Sequence, residues 1–170
     1  MATNLAAGAG TARPSDVMLF DKILAGGAVV LSIAAVTALG RGYPWWDEIP
    51  ANVIAHLATI LIATALTPVM LLRRRGDRLH RILGYIWMTA MVLTAAVSFD
   101  IRIIRDGSFS LIHILSVWTM VQLPLITIRA RQHDWKRHRA AVRWMVLGAL
   151  LIAGFFTFPF NRMLGAWLFG

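Results

Sequence analysis

Residues 49–88, IPANVIAHLATILIATALTPVMLLRRRGDRLHRILGYIWM, decide the fold, because their pattern returns in residues 110–145, SLIHILSVWTMVQLPLITIRARQHDWKRHRAAVRWM. His56, Pro68, a basic cluster, His80-Arg81 and Trp87-Met88 in the first stretch have counterparts in His113, Pro124, a basic cluster, His138-Arg139 and Trp144-Met145 in the second. The two histidines stand 24 residues apart in the first copy (56 to 80) and 25 in the second (113 to 138). One hairpin used twice accounts for four of the five histidines. His133 falls outside the pattern and reads as a solvated loop residue.

The surrounding chain fixes the medium in which this hairpin sits. Of 170 residues, 58% are hydrophobic and 15% charged, with mean hydropathy +0.67; a soluble domain carries about 25% charged residues. The apolar runs Lys22–Leu39, Ile49–Leu72, Ile82–Ile101, Ser110–Ile128 and Ala140–Phe160 each approach the roughly 20 residues that cross a bilayer as helix. They show neither the length nor the alternation of barrel strands, and backbone groups in lipid must be satisfied within the segment. The expectation is an all-α integral membrane helical bundle. Its five transmembrane helices fall at about 22–40, 49–72, 78–101, 109–129 and 135–160, within a domain 21–160 whose last four helices form the duplicated four-helix core.

Residues 1–20 read as a disordered N-terminal tail, since Met1–Ser15 lacks both the basic region and the adjacent apolar core of a cleaved signal. Residues 161–170, after Pro159, are too short to span and read as an interfacial segment. Tyr43, Trp45 and Trp46 suit a headgroup belt.

The formal net charge of +9 is concentrated at helix ends. Arg73, Arg74, Arg75, Arg78 and Arg81 crowd the second-to-third connection; Arg129, Arg131, Lys136, Arg137, Arg139 and Arg143 crowd the fourth-to-fifth. Positive residues mark cytoplasmic loops, so the N-terminus is expected in the cytoplasm and the C-terminus outside. The basic loops meet anionic lipid there, and nucleic acid is not an expected partner. The absence of cysteine removes disulfides, thiolate metal sites and thiol nucleophiles.

Counting along the spans sorts the histidines by depth. His56 precedes Leu72 by 16 residues and His113 precedes Arg129 by 16, which places both roughly 24 Å from the basic end at 1.5 Å per residue. His80 and His138 follow Asp77 and Asp134, which suit N-cap positions. An outer pair, His56 with His113, and an inner pair, His80 with His138, can therefore meet across the diagonals of a four-helix bundle. Ionisable groups inside a span are expensive and face the bundle interior. Two imidazoles on opposite faces of a haem form an axial set suited to one-electron transfer. The expected cofactor is haem b, two per chain, held by His56, His113, His80 and His138. Arg81 and Arg139 are among the arginines placed to pair with propionates, Gly84 leaves room for a macrocycle edge, and Trp87, Trp118, Trp144, Phe99 and Phe109 are available to pack on it. No catalytic residue is assigned. Asp100 is expected to pair with Arg102 or Arg105.

His80-Arg81 followed by Gly84, Arg137-His138-Arg139 leading to Trp144-Met145, and the closing segment Leu164–Gly170 resemble the bacterial membrane-protein family of domain of unknown function 2306. That resemblance implies a multi-pass inner-membrane protein and no settled activity. The histidine layout is also similar to the transmembrane di-haem cytochromes b, in which the first ligand helix pairs with the third and the second with the fourth. It implies a small electron carrier, or an oxidoreductase subunit, working between a quinol or redox protein and an acceptor. Those cytochromes usually have six helices, and their inner histidines lie deeper. The competing classes are a transporter, an accessory or assembly subunit of a larger membrane complex, and a proton-relay protein using the histidines as acid and base.

Overall fold

The computed structural model describes residues 17–101 and 111–170, and these residues form helices and no strand. Helix α1 covers Leu19–Arg41, a 3-10 turn covers Tyr43–Glu48, α2 covers Ala51–Leu72 and α3 covers Arg78–Ser98. Helix α4 covers Leu111–Arg131. Helix α5 covers Trp135–Met145 and runs on through a π-helical segment, Val146–Ile152, into the single turn α6, Ala153–Phe155. A short helix, α7, covers Met163–Phe169. Among the described residues four helices are long and apolar enough to cross a membrane: Leu19–Arg41, Ala51–Leu72, Arg78–Ser98 and the continuous Trp135–Phe155. Helix α4 has the same 21-residue length as α3 and packs between α3 and α5.

Several boundaries differ from the sequence expectation, each for a local reason. Helix α1 starts at Leu19 rather than near residue 22, because Asp21 reaches back to accept the Met18 N–H at 3.1 Å and caps the first turn. Helix α3 ends at Ser98 rather than 101, and the chain turns there through Phe99 and Asp100. The fifth span stops at Phe155 rather than 160; Phe160 and Asn161 adopt left-handed backbone conformations, and Pro159 offers no N–H to continue the helix. The closing segment is helical over Met163–Phe169. The expected tail 1–20 lies outside the described residues as far as residue 16.

Helices consecutive in sequence pack side by side from α1 to α5, and the π-helical continuation of α5 touches α2. Helices α2 to α5 therefore close a four-membered ring, with α2 opposite α4 and α3 opposite α5. Helix α1 covers the corner between α2 and α5. The middle of the ring is filled by Ala63 and Leu71 of α2, Trp87 and Met91 of α3, Leu123 and Ile126 of α4, and Met145, Val146 and Leu150 of the fifth span. The outside is equally apolar, with Ile23, Val30, Ile33, Trp144 and Phe155 exposed. Lipid tails are as apolar as leucine, so association rests on close packing and interhelical polar contacts. Small residues serve the first need: Ala25 and Ala28 of α1 are buried, and Gly27 lets Leu151 approach.

The two cap expectations hold. Asp77 Oδ1 accepts the His80 N–H at 2.6 Å and Asp134 Oδ1 accepts the Arg137 N–H at 3.1 Å, so both histidines lie in capped first turns. The Arg73 guanidinium, 2.8 Å from Asp77 Oδ2, together with the His80 N–H, holds the Asp77 carboxyl below its ordinary value of 3.8. A carboxylate with a lowered folded-state pKa stabilises the fold above its unfolded value and loses that contribution as pH falls through the lowered one. Asp77→Asn keeps a capping oxygen and removes the charge. Its thermal midpoint in detergent is expected to fall below wild type by a constant margin from neutral pH down to about 5, and the margin is expected to close under about pH 3.8.

Candidate functional site

Opposite the basic end, the interior of the ring turns polar. Thr94 and Ser98 of α3 and His113, Ser116 and Thr119 of α4 are all buried. His56 of α2 is half-buried beside them, and its Nδ1 lies 3.0 Å from Ser98 Oγ. Thr94 Oγ1 lies 2.8 Å from Thr59 Oγ1, so α2 and α3 are joined by two side-chain rungs one helical turn apart. A third rung sits at the helix ends, where Asp100 Oδ2 accepts from Asn52 Nδ2 at 2.9 Å. Asp100 is thus paired across the helices; Arg102 and Arg105, its expected partners, lie outside the described residues. A fourth rung lies deeper, where Trp87 Nε1 donates to Thr67 Oγ1 at 3.0 Å.

The hydrogen-bond directions define the state of His56. Ser98 Oγ is 2.7 Å from the Thr94 carbonyl oxygen, which can only accept, so the one hydroxyl proton of Ser98 is committed there. The oxygen must then accept from His56 Nδ1. In the neutral ring this leaves the lone pair on Nε2. His138 reaches the same tautomer by another route: its Nδ1 lies 3.0 Å from the Ile126 carbonyl oxygen of α4, again an obligate acceptor. Each of the two expected pairs thus contains one imidazole whose Nδ1 donates to a protein acceptor and whose orientation is fixed by the neighbouring helix of its own hairpin.

The other two histidines occupy consistent positions. His113 is 4% exposed, with its ring centroid 6.2 Å from that of Phe99. His80 is half-buried within electrostatic reach of His138 across the α3/α5 diagonal. Its Nδ1 is buried and has no hydrogen-bond partner among the described residues. An unsatisfied buried polar atom costs about 1–3 kcal/mol, a cost that a ligand bound through Nδ1 itself would remove. The donor chemistry fits haem: imidazoles at both ends, two of them with Nδ1 anchored to protein acceptors in the way metal-bound histidines usually are.

Of the residues expected around the cofactor, Arg81 is exposed and Arg139 half-buried in the first half of their helices. Gly84 faces Met70, whose Cε would stand 3.5 Å from an added Cβ, so the space there admits α2 rather than an open cleft. Trp118 packs near Gly148. Trp144 is 65% exposed and turned away from the core, unlike Trp87 at 5%, which corrects the expectation that both line the same interior. The reason is register. Trp87 follows His80 by seven residues but Trp144 follows His138 by six, and one residue rotates a side chain by about 100° around a helix. Met145, seven after His138, takes the buried place. Phe109 lies outside the described residues.

One cluster has no counterpart in the expectation from sequence. Asp21 is fully buried and accepts from Arg143 Nε at 2.7 Å, Arg143 Nη2 at 2.9 Å and Arg75 Nη2 at 2.7 Å. The Arg143 guanidinium also stands 5.7 Å from the Phe20 ring centroid. The cluster joins α1 to the α2–α3 connection and to α5. A lone acid, beside Lys22, at the start of a long apolar run was the available signal.

Comparison with family models, with curated proteins and with solved structures finds no match to the chain. Among the described residues no group of three or more His, Cys, Asp or Glu side chains is placed to hold a metal ion by itself. Paired histidines ligating from opposite sides of a macrocycle are not a group of that kind.

Proposed function

We propose that the chain is a small b-type cytochrome: a five-span membrane protein, with α4 as the fifth span, that carries electrons between a quinol or redox partner and an acceptor. The observation that carries this reading is the anchoring of His56 and His138, at opposite ends of one apolar bundle, in the tautomer that presents Nε2 as a base. His56 and His113 would hold one haem and His80 and His138 the other. Arg81 and Arg139 directly follow His80 and His138 in sequence, where they would meet propionates. Bound haem supplies reversible one-electron transfer. The protein keeps water out of the middle and anchors the rings of His56 and His138 through Nδ1.

In this reading the basic end bearing Arg73–Arg81 faces the cytoplasm of a bacterial inner membrane, against anionic lipid, with the C-terminus outside; the clustering of arginines in the two loops supports it. The filled middle of the ring, with Trp87, Met91, Leu123 and Met145 buried in it, favours this reading over a transporter, which needs a path for its solute. An accessory or assembly subunit of a larger membrane complex needs neither path nor haem.

The test is a reduced-minus-oxidised absorption spectrum of detergent-purified protein from haem-supplied cells, with haem quantified per chain. Two haems per chain are expected, falling to one in His56→Ala and one in His80→Ala. A folded wild-type protein that binds no haem overturns the reading and leaves the accessory-subunit class.

A further inference from the structure

The buried polar residues nearest His56 belong to α3, and their donor and acceptor roles can be assigned without ambiguity of direction. Ser98 Oγ stands between the Thr94 carbonyl, 2.7 Å away, and His56 Nδ1, 3.0 Å away. If the hydroxyl proton pointed at the imidazole, two acceptor oxygens would face each other at 2.7 Å in a medium without water, an arrangement low local dielectric penalises. Ser98 itself is buried, at 3% exposure, so no solvent competes for its oxygen.

We infer that Ser98 is a positioning residue. Its hydroxyl, aimed by the Thr94 backbone carbonyl, fixes His56 as the Nδ1–H tautomer and so directs the Nε2 lone pair to a ligand. The inference deepens the haem reading, on which its relevance to a cofactor rests, but the tautomer itself is a property of the chain alone. The Thr94 side chain is not part of the device, because it is the carbonyl that orients Ser98; Thr94 Oγ1 serves the separate rung to Thr59. This makes the neighbouring hydroxyl a built-in control.

The experiment uses the full chain labelled with nitrogen-15 histidine in lipid nanodiscs, before and after addition of haem, with His56 assigned by its loss in His56→Gln. Before haem, His56 is expected to show a protonated Nδ1 and an unprotonated Nε2. Ser98→Ala is expected to move the population toward the Nε2–H form and, after haem addition, to weaken retention of one haem by about 10- to 100-fold, the usual effect of removing a residue that orients a metal ligand. Ser98→Thr restores the hydroxyl and is expected to restore the tautomer, and Thr94→Val is expected to leave it unchanged. Wild-type His56 found as the Nε2–H tautomer overturns the inference even if neither Ser98 variant folds, as does an unchanged tautomer in folded Ser98→Ala. Protein that shows the expected tautomers yet takes up no haem counts against the cytochrome reading and leaves the role of Ser98 standing.

Discussion

Asp21→Ala is expected to be the most damaging single substitution outside the histidines, lowering stability by about 3 kcal/mol, the lower part of the range for breaking a buried ion pair. The carboxylate is fully buried while Arg75 and Arg143 retain 18% and 17% side-chain exposure, so some solvation of the orphaned guanidiniums tempers the loss. What makes the change costly is less the attraction removed than the two cations left at the edge of an apolar bundle with one partner fewer. The corollary is sharper than the loss itself. Replacing all three groups together, as Asp21→Leu with Arg75→Met and Arg143→Met, is expected to destabilise less than Asp21→Ala alone, because no charge is then left to desolvate. Denaturant midpoints of the purified protein in one detergent decide it. A triple variant weaker than the single one would mean that the cluster contributes net attraction and not only mutual neutralisation.

The second large effect is expected at the other end of α1. A Cβ on Gly165 would run into the Phe158 carbonyl oxygen, a backbone atom that cannot swing aside, and a Cβ on Gly42 would enter the Trp167 ring. Gly165 lets α7 fold back on the chain that precedes it, and Gly42 lets Trp167 of α7 lie against the end of α1, where Arg41 also donates to the Leu168 carbonyl. Overpacking of a seated side chain costs about 1–3 kcal/mol, and more where backbone must move. Gly165→Ala is therefore expected to release α7 as a unit, read as protease cleavage between Phe158 and Met163 and as a red shift of Trp167 emission. Gly42→Ala is expected to give a smaller shift and little cleavage, since an indole can tilt. Equal behaviour of Gly165→Ala and wild type in both measurements would show that α7 is not seated on this contact.

The helical membrane architecture was legible because lipid imposes so few alternatives: a run such as Ile49–Leu72, closed by three arginines, has one plausible conformation. The N-caps at Asp77 and Asp134 were legible for the same kind of reason, since capping is decided within four residues. Three things were not. The echo between Trp87 and Trp144 misled because residue type repeats where angular position does not; counting from the histidines rather than matching letters points to Met145. Asp21 carries its meaning only in company with Arg143, 122 positions later, and no local pattern connects them. Ser98 is one hydroxyl among many in apolar helices, and what distinguishes it is a carbonyl one turn back and an imidazole on another helix. The histidines could be ranked by depth from sequence, but the protonated nitrogen of each ring depends on partners that only the packed bundle supplies.

Helix α1 stands apart from the ring it braces. At one end it is tied by Asp21 to Arg143, and at the other by Arg41 and Gly42 to Leu168 and Trp167. Both ties reach residues made more than 120 positions later, at separations of 122 and 127. During synthesis the first helix to enter the bilayer must therefore persist there with its fastenings still unmade, and its carboxylate must wait for cations that arrive on later segments. Arg75 emerges 54 residues after Asp21 and Arg143 only with the last span. The brace is laid first and locked last, so a nascent chain halted before α5 would hold α1 by Arg75 and by its packing on α2.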